Sequence, residues 1–258
     1  MQYMGSKRRV AKEILPIILK DRQVNQWYVE PFVGGGNLIE NVSGHCIGAD
    51  NNKYIIALLK YVQNNDLNNI EYIDEEKYMH IKNNKDLYDD YIVGFAGFGL
   101  SFGAKFFRGF TRDKKTGRDY FRETLNNLKK QQEKIKHINF IHSDYKDFNI
   151  PDNSIIYCDP PYKGTEKYYK QKFTYEDFYE WCIKKHNEGH KVFISEYEMP
   201  ENRFKSIWEK EIKINMNNFQ QHIKKNRKTI YYKGMMICNI LKLLFMIRSG
   251  KKQRMIYI

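Results

Sequence analysis

The sequence predicts an α/β fold built on an open, mostly parallel sheet. Three observations carry that expectation. Short apolar runs of strand length recur along the chain, helical periodicity fills several of the intervals between them, and glycines, prolines and acids cluster where the runs stop. Strands that alternate with helices are joined by crossovers, and crossovers make neighbouring strands parallel.

The first strand candidate, 27–30, runs into Pro31 and then Gly34, Gly35 and Gly36 before a new helical pattern. Glycines there allow a tight turn and close approach of a ligand to the backbone. The second candidate, 45–49, stops at Asp50, and the apolar spacing of 53–63 reads as a helix. A second helical pattern covers 121–136, followed by a third strand candidate at 138–142 and a fourth at 154–158. A helix over 175–188 then leads to the fifth strand candidate, 191–195, and a hairpin is expected around 229–232. Residues 1–50 and 138–232 therefore form the sheet domain. Residues 51–137 are too long for one crossover and hold an inserted subdomain, and 233–258 is an extension without a clear element.

Composition narrows the partners. The 258 residues carry a formal net charge of +13, which favours a polyanion over an acidic small molecule. The charge is uneven: residues 66–90 hold eight acids against Lys77, Lys82 and Lys85, whereas 101–136 hold eleven Lys and Arg against four acids, a net of +7. One end of the insertion is thus built to face a polyanion. The cysteines Cys46, Cys158, Cys182 and Cys238 have neither zinc nor disulfide spacing, which implies reduced thiols, a cytoplasmic setting and no metal. The most apolar late run, 235–247, is broken by Asn239 and Lys242 and is too short to span a bilayer.

Acids stand at successive strand ends. Glu30 precedes the glycine turn and would repel a pyrophosphate, and the turn lacks the GxGxxG spacing of nicotinamide-binding proteins. Asp50 suits ribose hydroxyls, or caps the following helix. Asp144 suits an adenine amino group, or closes a turn. After the fourth strand comes Asp159, Pro160, Pro161 and Tyr162, an acid and an aromatic ring in a stiff frame. The bland reading of this motif is a type I turn. The chemical one is an acceptor site for a base amino group: Asp159 and the Pro160 carbonyl take its two hydrogens while Tyr162 stacks on the ring.

Together these residues resemble the Dam-like DNA adenine-N6 methyltransferases of bacteria and phages. The resemblance rests on YMGSKRR near the start, EPFVGGG, Asp50, Asp144, DPPY and VFISEYE, in that order. It implies a Rossmann-like methyltransferase sheet binding S-adenosylmethionine. Tyr3, Lys7, Glu30, Phe32 and Gly34 to Gly36 would contact the cofactor, Asp50 its ribose and Asp144 its adenine. Asp159, Pro160, Pro161 and Tyr162 would hold the target adenine, flipped out of double-stranded DNA as such chemistry requires.

The insertion would read the DNA through Lys105, Arg108, Arg112, Lys114, Lys115 and Arg118, with Phe106, Phe107 and Phe110 acting as wedges or as a small core. Ser195 and Glu196, after the fifth strand, play a supporting part. Lys163 and Lys167, and the basic run Lys224, Lys225, Arg227 and Lys228, are phosphate-contact candidates. GATC is the family-level expectation for the site; the sequence fixes neither an orphan nor a restriction-modification setting, nor an oligomeric state, a monomer being one option. The extension 233–258 departs from the family pattern. Three other readings compete: methylation of a cytosine or RNA amino group, a DNA-binding protein without catalysis, and an oxidoreductase, which lacks its glycine fingerprint. Asp159→Ala is expected to abolish transfer while leaving cofactor binding and the fold nearly intact.

Overall fold

The computed structural model describes residues 1–112, 117–161, 173–196, 199–200, 202–212 and 226–232. The chain forms two compact units, Met1–Asp159 and Pro160–Ile258.

In the first unit, β1 (Tyr28–Glu30), β2 (Cys46–Asp50), β3 (Ile138–His142) and β4 (Ile155–Cys158) lie parallel in the order β3-β2-β1-β4. Tyr28 lies opposite Cys46 on one side and Ile155 on the other. Every residue of β1 and β4 is buried, the signature of parallel strands covered on both faces, and this is why their sequences read as runs instead of alternating. At the edge, β3 does alternate: Ile138 and Phe140 are buried and Asn139 is exposed.

Helix α1 (Ala11–Ile18) buries Ala11, Ile14, Leu15 and Ile18 despite Pro16 inside it. Helix α2 (Lys53–Asn64) begins where the Asn52 side chain accepts from the Tyr54 and Ile55 amides, so Asn52, not Asp50, caps it. It buries Ile55, Ile56, Leu58, Leu59 and Val62 and packs against β2 and β3. The acidic stretch forms α3 (Glu75–Asn83), capped by Asp74, and α4 (Asp90–Gly94), which passes directly into one π-helical turn, Phe95–Gly99. Helix α5 (Tyr120–Ile135) is capped by Asp119. The Gln63 amide reaches the carbonyls of both Ile135 and Ile138, each at 2.7 Å, and fixes the turn from α5 into β3.

Between the π turn and α5 the chain makes a closed loop. Its neck is the bridge between Ser101 and Phe110, reinforced by Thr111 N–H to the Leu100 carbonyl at 2.9 Å. Phe107 is buried, and Tyr78 of α3 packs 5.2 Å from Phe107 and 5.3 Å from Phe110. Phe106 stacks on Tyr54. Phe107 is thus the buried centre of this region, with Phe106 and Phe110 half-buried beside it.

The second unit contains α6 (Tyr175–Asn187) packed on β5 (Lys191–Glu196), and an antiparallel arrangement in the order β5-β7-β6 with β6 (Lys205–Ile212) and β7 (Asn226–Tyr232). Ser195 and Glu196 are the last two residues of β5, one step earlier than the sequence placed them. The extension 233–258 lies outside the described residues.

Candidate active site

The carboxyl ends of β1, β2 and β3 are laced together. Val33 N–H donates to the Ala49 carbonyl at 2.8 Å and Ser143 N–H to the Asp50 carbonyl at 3.1 Å. The Asp50 carboxylate accepts from Gly34 N–H at 3.0 Å through one oxygen and from Asn52 N–H at 2.9 Å through the other. Each oxygen keeps a second lone pair for a hydroxyl donor. Burial raises the Asp50 pKa while these two amides pull it back down. Asp144 closes a tight turn, accepting from Lys146 N–H at 3.1 Å, and Phe32 lies 5.2 Å from the Tyr145 ring.

The glycine turn is shaped by what lies on it. Gly34 has φ +49, and a Cβ there would lie 2.5 Å from the Tyr3 ring; one at Gly35 would lie 2.8 Å from Tyr3 Cβ. Bare backbone is therefore what lets Tyr3 settle on the turn. The opposite side is held by Gln131 of α5, whose amide donates to the Gly35 carbonyl at 2.9 Å. Sequence reasoning missed Gln131: nothing marks a glutamine in a polar helix as one that will be buried. Tyr3 also lies 5.4 Å from Phe98 of the π turn, which is 4.9 Å from Phe106, so one aromatic file runs from the glycine turn into the insertion.

At the end of β4 stands Asp159. Lys7, 4% exposed, reaches it so that the ammonium bonds both carboxylate oxygens, and the Gly5 carbonyl accepts from the same nitrogen at 3.3 Å. The sequence named both residues but gave them separate duties; the fold joins them. Below the pair, Tyr28 donates to Glu30 at 2.9 Å. Burial pushes the Glu30 carboxyl up to about 8, with the Asp159 charge adding to the rise and the Tyr28 hydrogen bond and Lys7 opposing it. Burial likewise holds the Tyr28 phenol well above its usual range, so it stays a donor. Glu30 is thus an enclosed neutral acid at neutral pH, not an open carboxylate.

In the second unit Pro160 is buried and the Pro161 carbonyl accepts from the Tyr175 hydroxyl at 2.8 Å. Ser195 and Glu196 are buried. Tyr162, Lys163, Lys167, Lys114, Lys115, Lys224 and Lys225 lie outside the described residues, and Arg227 and Lys228 fall on β7. On the insertion, Lys105 and Arg108 sit on the closed loop, bonded to each other through Arg108 N–H and the Lys105 carbonyl at 3.1 Å. Arg112 and Arg118 are each held by a glutamate, Glu75 and Glu123. Among the described residues no group of three or more His, Cys, Asp or Glu could hold a metal, and no helix is long and apolar enough to cross a membrane.

A glycine turn and a buried carboxylate at the carboxyl ends of parallel strands, beside an enclosed acid and a paired carboxylate, stand where an open α/β sheet binds its ligands. The family model for D12 class N6 adenine-specific DNA methyltransferases matches residues 3–96 and 91–230, and the chain belongs to that family. It is accordingly an enzyme of adenine-specific DNA methylation, and its substrate is DNA. No curated protein sequence matches the chain. Among solved structures it is similar to the tRNA (m1A58) methyltransferase TrmI from Aquifex aeolicus, at 12% identity and TM-score 0.39, over 90% of this chain and 70% of that one. It is also similar to a protein from Listeria monocytogenes assigned to the class I S-adenosylmethionine-dependent methyltransferases, at 11% identity and TM-score 0.39, over 93% of this chain and 64% of that one.

Proposed function

We propose that the protein transfers the methyl group of S-adenosylmethionine to N6 of an adenine flipped out of duplex DNA. The observation that carries this reading is the engagement of both Asp159 oxygens by N–H donors of Lys7 at the end of β4, next to the Tyr3-covered glycine turn. A carboxylate that already takes two N–H donors is the acceptor an exocyclic amino group needs.

The residues present fit the cofactor. Asp50 offers lone pairs to ribose hydroxyls, the glycine turn presents bare backbone, and Tyr3 supplies an aromatic edge beside it. When bound, S-adenosylmethionine would supply an electrophilic methyl on a sulfonium and leave as the neutral thioether S-adenosylhomocysteine, the methylated nitrogen losing one proton to solvent. The protein's part is to bind, orient and exclude. Asp159, with the Pro160 carbonyl next in the chain, draws the amino hydrogens away from the ring plane, which localises the nitrogen lone pair for in-line attack. Lys7 gives up its bonds to Asp159 as the adenine enters. The extruded base costs a few kcal/mol of unstacking, which DNA contacts on the insertion offset.

Incubation of the protein with S-adenosylmethionine and unmethylated genomic DNA, followed by nucleoside mass spectrometry, tests the reading. N6-methyladenine is expected with the intact protein and not with Asp159→Ala. Methylated cytosine, or no methylated base at all, would overturn it.

A further inference from the structure

Two arginines of the insertion share one arrangement. Arg112 gives Nε to Glu75 at 2.7 Å and Nη2 to the other oxygen of the same carboxylate. Arg118 gives Nε to Glu123 at 2.6 Å and Nη2 to its other oxygen at 2.7 Å. In both, the carboxylate grips the side of the guanidinium through Nε and Nη2. For Arg112, Glu75 is the only partner among the described residues, so the outer edge formed by Nη1 and the second Nη2 hydrogen remains available.

Both glutamates are themselves placed firmly. Glu75 opens α3 and Glu123 lies in the first turn of α5, and each helix is capped by an aspartate, Asp74 or Asp119. Glu123 also accepts from the Gln2 amide at 2.8 Å. Exposed ion pairs of this kind add little stability, so stability does not account for the repeated geometry. Recognition does. The outer edge of a guanidinium is the donor pair that matches O6 and N7 of guanine in the major groove. A carboxylate at its back fixes the fork's direction and also cancels its net charge. A neutralised arginine gains little from releasing counterions at phosphates, but it keeps its hydrogen bonds to a neutral base edge. The pairing thus favours base readout over indiscriminate backbone attraction.

Resting on the DNA methyltransferase reading, we infer that Arg112 reads a guanine in the recognition sequence and that Glu75 is the positioning residue that aims it.

Selection of bound duplexes from a random library, with the full chain, tests this without requiring turnover. The wild-type protein is expected to enrich a motif containing guanine. Arg112→Lys, which keeps the charge and loses the fork, should relax one guanine position, lowering preference there by on the order of tenfold. Glu75→Gln should weaken the same preference while strengthening binding to unrelated duplex, with a steeper salt dependence by about one phosphate contact. A motif unchanged in Arg112→Lys and Arg112→Ala, or a Glu75→Gln variant that binds the motif more tightly with undiminished preference, overturns the inference, as does a wild-type protein that enriches no motif. The methylation assay on the wild-type protein stands apart: absence of N6-methyladenine there, with guanine preference intact, strikes the proposed reaction and not the arginine assignment.

Discussion

Lys7 and Asp159, 152 positions apart in the chain, meet in an ion pair in which one ammonium spans both carboxylate oxygens, with side-chain exposures of 4% and 22%. This pair links the amino-terminal segment to the end of β4, so the proposed acceptor is also a structural joint. Removing Asp159 therefore does more than delete an acceptor. It leaves a buried ammonium without its counter-charge, a loss that costs about 3–5 kcal/mol when a buried pair is broken from one side. Asp159→Ala is expected to lose methyl transfer and also to unfold at markedly lower denaturant, in place of the nearly intact fold expected from sequence. Lys7→Met combined with Asp159→Ala should cost less than the two single changes added together, and denaturant unfolding of all four proteins measures that coupling. Additive costs would mean that the pair contributes nothing as a pair.

Glu30 gives the protein a pH dependence of defined sign. Its carboxyl is raised from an ordinary 4.5 to about 8, first by burial and then by the nearby Asp159 charge. Between those values the folded state holds a proton that the unfolded chain has released. The stabilisation is complete below about pH 4.5 and is lost as pH rises through about 8, at about 1.4 kcal/mol per pH unit inside the window. Asp50, also raised by burial, acts in the same direction. The Met1 amino group, lowered by burial from 8.0 to about 5, acts in the opposite direction over the same window, so the comparison of two proteins isolates Glu30: chemical denaturation between about pH 5 and pH 8 should show Glu30→Gln, which can still accept from Tyr28, gaining stability with pH relative to wild type. Equal slopes in the two proteins would show that Glu30 does not carry the effect.

Gly94 sets how closely α4 can approach α2. A Cβ built there would lie 2.3 Å from the Tyr54 carbonyl oxygen and 3.1 Å from Leu58 Cβ. The first of these is backbone and cannot rotate away. Gly94→Ala should force the helices apart at a cost of about 1–3 kcal/mol, read as a lowered melting temperature. Gly97 and Gly99 sit in the same turn against Phe106 and Thr124, so the glycine-rich FAGFG stretch is packed helix. An unchanged melting temperature would mean that the contact is slack.

That stretch also shows where the sequence was opaque. The strands were readable because both faces of the parallel sheet are covered, which leaves an unbroken apolar run in β4 and a buried β1 that stops at Glu30, each expected one residue too early at its start. Helix α1 was missed because Pro16 argues against a helix, yet it falls late in an eight-residue element where it interrupts only one backbone bond. Helices α3 and α4 are short and acidic, and α4 continues into glycines that imitate a loop. Within the site, Asp50, Asp159 and the glycine turn were visible as groups that end strands. The partnership of Lys7 with Asp159 and the burial of Gln131 against Gly35 arise only when distant segments pack, and no local pattern encodes them.

Phe102 is the phenylalanine that the sequence did not single out. Phe106, Phe107 and Phe110 were candidates for a DNA wedge, but they pack inward, whereas Phe102 is 67% exposed beside Gly103, around which a Cβ would meet nothing. Its amide is anchored to the Gly109 carbonyl at 2.8 Å, so the ring stands on a bonded loop instead of a loose one. On the proposed base-extrusion mechanism, an apolar ring in that position suits insertion into a base stack and would help to offset the few kcal/mol that unstacking a nucleotide costs. Phe102→Ala removes no core contact, and its stability should stay within about 0.5 kcal/mol of wild type. Its kcat/KM on paired duplex should fall by on the order of tenfold, about 1.4 kcal/mol. Placing a mismatch at the target adenine should restore most of that loss, because the base is then already loosened. Steady-state kinetics on the two duplexes decide the matter: an equal deficit on both would assign Phe102 to general DNA affinity, and no deficit on either would leave the loop without a part in base extrusion.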